Sequence, residues 1–156
     1  TAFLAASVIG QFELTLQKVV ALAVLMPIVA GVGGNAAVQV LTLMVRGIAL
    51  GQVGPSNARI LLWKELRVAL INGTLIGLLV GVIAFLWFHS WLLSIVITLA
   101  LMINFCAAAL AGVLLPLLLK RMNVDPAVAG TVVVTAVTDV MGFFSFLGLA
   151  TLILLH

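Results

Sequence analysis

The stretch VVALAVLMPIVAGVGGNAAVQVLTLMV, Val19 to Val45, carries no charged side chain until Arg46 closes it. It is longer than the roughly 20 apolar residues a helix needs to cross a bilayer. Within it, Pro27 and the cluster Gly31, Gly33, Gly34 and Asn35 predict a bent or locally irregular helix. The rest of the chain has the same character. Apolar residues make up 65% of the 156 positions and charged residues 7%, against a globular norm of about 45–50% and about 25%. A mean hydropathy of +1.44 sustained over the whole length excludes a soluble domain, and also a secreted one carrying only a signal peptide. The fold class expected is all-α: a polytopic transmembrane helical bundle.

Outward from this span, at 19–46, the pattern repeats. Thr1 to Gly10 is apolar but too short to cross, and reads as a truncated first span. A polar connection, Gly51 to Arg67, leads to a third span at 68–88, and Trp87, His89 and Trp91 mark an interfacial turn. A fourth span fills 92–119, Lys120 to Pro126 connects, and a fifth fills 127–155, interrupted only by Asp139. Five spans are therefore expected, the first partial. The positive-inside rule puts the loops 51–67 (Arg59, Lys64, Arg67) and 120–126 (Lys120, Arg121) in the cytoplasm, with the C-terminus outside. The net charge of +3 is scattered, with no basic stripe for nucleic acid. No internal repeat is visible, and an odd helix count makes a symmetric pore depend on a second subunit.

Polar residues within the spans segregate onto two helices. On span five Thr131, Thr135, Thr138, Gly142 and Ser145 recur at spacings of four and three and share one face, with Asp139 at its border. On span two Pro27, Gly31, Asn35, Thr42 and Arg46 form a second stripe with Gln39 at its margin. A carboxylate at bilayer depth is costly and should face protein or water, so Asp139 is a functional candidate; the bland reading pairs it with Arg46 or leaves it protonated in an apolar pocket. The antiparallel sense of the two spans lets Asn35 and Asp139 meet near mid-membrane. Spans three and four offer packing surfaces instead: the row Gly73, Gly77, Gly81 and the small residues Ala107, Ala108, Ala111 and Gly112. Asn72 and Asn104 read as interhelical hydrogen-bond partners, His89 as an interfacial anchor, Glu13 as a solvated carboxylate, and Cys106 as a packing residue without a disulfide partner.

PIVAGVGGNAAVQ at Pro27 to Gln39, followed by VRGIALG at Val45 to Gly51, resembles the second transmembrane helix of MgtE-type magnesium channels. DPA at Asp125 to Ala127, TAVTDVMGFFSF at Thr135 to Phe146, and Phe12 with Glu13 strengthen the likeness, which extends over essentially the whole chain. The resemblance implies a homodimer in the membrane lipid, in all expectation a bacterial inner membrane. Its ion path would run along the two-fold axis, lined by helices two and five, with Asp139 as the principal magnesium site and Asn35 facing the pore. Gly31, Gln39, Thr131, Thr135, Thr138 and Gly142 complete the expected lining. Mg2+ is then the transported ion and ligand, and no organic cofactor is called for. Ala37 and Thr131 depart from the family's usual glycine and proline. No segment resembles the family's cytoplasmic sensor, an N-terminal domain followed by a CBS pair, as expected of an excised pore domain or a short homologue.

The chemistry suits that ion. Magnesium prefers octahedral oxygen and sheds water reluctantly, so a conducting site should offer few charges to a largely hydrated ion. Two symmetry-related Asp139 carboxylates meet this condition, while Thr135 or Asn35 can bond to the ion's waters. The residues taken alone specify a cation; magnesium comes from the resemblance. A proton- or sodium-coupled metal carrier using Asp139 is the competing reading, supported by the irregularity expected in helix two. A non-conducting membrane scaffold is a third. An enzyme is disfavoured, since HExxH, GxSxG and a paired catalytic aspartate are all missing.

Overall fold

The computed structural model describes all 156 residues, and every regular element in it is an α-helix. Two are short, α1 (Ala2–Gln11) and α2 (Glu13–Lys18). Four are long and apolar enough to cross a membrane: α3 (Ala21–Ala49), α4 (Ala58–Phe88), α5 (Trp91–Arg121) and α6 (Pro126–Leu154). At 1.5 Å per residue α1 reaches only about 15 Å and does not cross on its own. It lies instead along α6, and just after it Phe12 meets Phe144 edge-on at 6.1 Å while the hydroxyl of Thr15, in α2, is 2.8 Å from that of Thr151.

Two boundaries differ from the sequence reading. The polar connection shrinks to residues 50–57, because α4 already begins at Ala58. Arg, Lys, Glu and Leu, which dominate RILLWKELR, are good helix formers, so charge there marks the membrane surface and not a loop. At about 46 Å, α4 outruns the ~30 Å hydrocarbon core and carries Arg59, Lys64 and Arg67 into the interface. The second difference is α3, which runs unbroken through Pro27 and the glycine cluster. Pro27 falls in the second turn and withholds one hydrogen bond, from the Ala23 carbonyl. Of the three glycines only Gly33 is closely packed, since a Cβ there would overlap the Asn104 side chain, whereas Gly31 faces open space.

The central helix is α5, packed against α3, α4 and α6. Its contact with α4 is built on the glycine row. A Cβ on Gly77 would stand 2.9 Å from the Thr98 carbonyl oxygen and one on Gly73 3.1 Å from Met102 Cα, so the backbones touch almost directly. Hydroxyls line the seam: Ser94 Oγ donates to the Gly81 carbonyl at 2.7 Å, and Thr98 Oγ1 is shared between the Gly77 carbonyl at 3.0 Å and the Ser94 carbonyl of its own helix at 2.8 Å. On the other side Leu22, Leu25 and Val29 of α3 meet Val96, Ile97 and Leu101 of α5 and Phe146 of α6 in the main core. The outer face of α4, including Ile71, Leu75, Leu79, Val82 and Leu86, is exposed. So large an apolar face needs lipid as its solvent.

Short turns fix the order of the bundle. His89 takes a left-handed conformation (φ 54°) after α4, and Ser90 Oγ accepts from the Leu93 N–H to start α5. Asn123 (φ 57°) turns the chain after α5, Asp125 Oδ1 accepts from the Ala127 N–H at 2.9 Å, and Pro126 opens α6.

Candidate functional site

The two faces of α3 follow the pattern of a soluble helix, apolar inward and polar outward, which is the reverse of what a lipid-facing helix requires. Leu22, Leu25, Val29, Gly33, Ala37, Leu41 and Met44 are buried inside the bundle. Pro27, Gly31, Asn35, Thr42 and Arg46 form the exposed stripe, with Gln39 at its margin. Polar side chains on a membrane helix belong against protein or water. Here they sit on the surface of a single chain, with nothing within 4 Å of the position a Gly31 Cβ would take.

Beside this stripe runs α6. A Cβ on Gly130 would meet Leu41 at 2.9 Å, one on Gly34 would meet Thr135 Cγ2 at 3.9 Å, and one on Gly142 would meet Val29 at 3.2 Å. These pairs step in opposite directions along the two helices, an antiparallel register that sets Thr135 level with Gly34 and Asp139 level with Gly31. Asn35 and Asp139 are therefore about 6 Å apart in level, one helical turn, and do not share a layer. Asp139 stands at the middle of α6, half-exposed on the same open side, where no charged group of its own chain faces it. Arg46 is some fifteen residues along α3 from that level, about 22 Å at helical rise, which removes the structural ion pair as an account of Asp139.

The stripe on α6 keeps one face but changes surroundings along its length. Thr131 is exposed and Thr135 half-buried, its hydroxyl donating to the Thr131 carbonyl at 2.8 Å. Thr138, Gly142 and Ser145 turn into the bundle and are buried. Thr138 Oγ1 is satisfied by the Thr135 and Val134 carbonyls at 3.0 and 3.1 Å. Within one protomer, then, the open side brings together Gly31, Asn35, Thr131, Thr135 and Asp139, while Thr138 and Gly142 lie behind them; Gln39, expected in the same lining, instead stands on the α4 side of α3 in a cleft with Glu65 and Asn72. The chain holds no cluster of three His, Cys, Asp or Glu side chains suited to a metal ion. One carboxylate per chain is the whole charge this site offers.

Asn104 of α5 holds the arrangement from behind. Its Nδ2 donates to the Val29 carbonyl at 3.0 Å, and its side chain fills the space that Gly33 and Gly142 leave free. Sequence reading marks Asn104 as an interhelical partner, but its seat against glycines on both α3 and α6 is a tertiary fact. The available signal was a buried-type amide in an apolar span with glycines on two other helices.

Residues 26–149 match the MgtE family, described as divalent cation transporters. The chain belongs to the MgtE family. It is 36% identical to the magnesium transporter MgtE of Thermus thermophilus over 155 residues, 99% of this chain and 34% of that protein. It is 31% identical to that of Enterococcus faecalis over 147 residues (94% and 32%), and 30% identical to that of Bacillus subtilis over 145 residues (93% and 32%). The chain thus spans about a third of the length of these curated relatives. Ala37 is fully buried, and beside it Gly112 of α5 lies close to α3, its Cβ position 2.7 Å from the Val40 side chain and 3.3 Å from the Ala37 carbonyl oxygen.

Proposed function

We propose that this chain forms the pore of a magnesium channel that works as a homodimer. α3 and α6 of each copy line a path on the two-fold axis, and the two Asp139 carboxylates form the central ion site. The observation that carries the reading is the exposed polar stripe of α3 beside a half-exposed Asp139 in a chain otherwise clad in leucine, isoleucine and valine. A second copy covering that stripe gives its polar groups protein and water to face instead of hydrocarbon. The relatives' shared name, magnesium transporter, supplies the ion. Gly31, level with Asp139 and lacking a side chain, leaves room there for a hydrated cation, and Thr135 and Asn35 bond to its waters one turn away.

In this reading α1 belongs to the first, partial span and packs on α6, the loops 50–57 and 122–125 face the cytoplasm, and the C-terminus lies outside. The membrane is the bacterial inner membrane, as the relatives' bacterial sources suggest. The coupled-carrier alternative drew on an irregular, glycine-rich helix two; α3 runs as one continuous helix, without the unwound segment that discontinuous carrier helices use. The test is Mg2+ uptake into proteoliposomes, with no proton or sodium gradient, by the wild-type chain and Asp139→Ala after both are shown to fold and dimerise. Uptake down the magnesium gradient that disappears in Asp139→Ala is expected. Uptake that begins only when a proton or sodium gradient is applied would replace the channel with a coupled carrier.

A further inference from the structure

Six of the seven Lys and Arg residues lie at one end of the bundle, where α3 and α5 finish and α4 and α6 begin; Lys18 alone is at the other. At that end, between the 50–57 turn and the last turns of α5, is a cavity of about 570 Å3, within the range of ligand-binding pockets. Its wall is Pro55, Ala58, Leu114 and Leu118, and at its rim stand Lys120 and Arg121, both exposed. The turn is preorganised: Asn57 Oδ1 accepts from the Gly54 N–H at 2.9 Å, and Asn57 Nδ2 donates to the Gln52 carbonyl at 2.7 Å. Asp125, the nearest carboxylate in sequence to the two cations, is engaged as the cap of α6.

We infer that this cavity is a binding site for an anionic phospholipid, with an acyl chain along Leu114 and Leu118 and the headgroup phosphate held by Lys120 and Arg121. The inference rests on the membrane reading of the chain and is independent of the ion path on α3 and α6. Apolar walls at the hydrocarbon edge with paired cations at headgroup level are complementary to a lipid at both ends of the lipid molecule. A soluble phosphate would use the cations and leave the leucine wall empty. A zwitterionic lipid would use the wall but gain no net charge attraction.

The experiment is native mass spectrometry of the protein in mild detergent, titrated with phosphatidylglycerol or with phosphatidylcholine of the same acyl chains, and with inorganic phosphate as competitor. Phosphatidylglycerol is expected to bind at least about tenfold more tightly, since each cation near an anionic headgroup contributes a factor of about five. Lys120→Gln with Arg121→Gln should abolish that preference, Lys18→Gln should leave it unchanged, and Ala58→Trp, which fills the cavity, should weaken phosphatidylglycerol with the cations intact. Equal retention of the two lipids, or a preference that survives the double substitution, overturns the assignment. So does phosphate competition that is complete and indifferent to Ala58→Trp, which reduces the site to an anion patch. Because adduct mass is read without ion flux, failure here is distinguishable from failure of the pore reading.

Discussion

Asp139 concentrates the electrostatics of the chain into one side chain at the middle of α6, and its surroundings decide what it can do. With no cation of its own chain opposite it, the carboxylate is free to attract a mobile ion. Asp139→Asn keeps the shape and removes the charge, and magnesium uptake is expected to fall by more than about tenfold, because the attraction between a divalent ion and a partly buried carboxylate is worth several kcal/mol. Radiometric or dye-based flux in liposomes checks this. Behind the site, Gly142→Ala would place a Cβ 2.6 Å from Asn104 Nδ2 and 3.2 Å from Val29. The cost expected is about 1–3 kcal/mol of stability. In an Asn104→Ala background the same substitution should cost markedly less, since the obstructing amide is gone; thermal melting in detergent of the four variants measures that coupling.

At the scale of elements, the bundle is held where small residues let helices touch. The row Gly73, Gly77 and Gly81 was legible as a packing surface because its spacing of four keeps it on one face. Its partner strip, Ser94 and Thr98 on α5, was not, since nothing local says which helix will lie opposite. Gly77→Leu would drive a side chain into the Thr98 backbone, which cannot rotate away, and should separate α4 from α5. The expected result is a protein destabilised by several kcal/mol or unable to fold, whereas Thr98→Val, losing one hydroxyl bond, should cost only about 0.6 kcal/mol. Denaturation of the two variants in mixed micelles tells them apart. The sequence also foretold an irregular α3 from Pro27 and its glycines. Helix breakers defined in water lose that power where water is not there to compete for the backbone.

For the whole molecule, two exposed surfaces contrast, and the proposed dimer would cover one of them. The outer face of α4 is uniformly apolar and matches lipid; the outer face of α3 is polar and does not. In a Cys106→Ser background, Gly31→Cys is expected to form a disulfide between two copies on mild oxidation in membranes, and Leu79→Cys, on the lipid side, to stay monomeric on non-reducing gels. A cross-link at Leu79 with none at Gly31 would put the two-fold axis on the wrong side of the bundle for Asp139 to line it.

Much of this was written in the order of the residues. Composition and the length of the uncharged runs dictated membrane helices, because hydrocarbon admits few other backbones, and the 3.6-residue period placed polar groups on shared faces of α3 and α6. Periodicity gives direction around one axis only. It could not say that Thr138 and Gly142 turn inward while Thr131 stays open, because neighbours change along a face that does not. The level of Asp139 against Gly31, the seat of Asn104 between two glycines and the cavity under the 50–57 turn are likewise relations between helices. They are set by how closely small residues allow backbones to approach, and that distance exists only once the helices are packed.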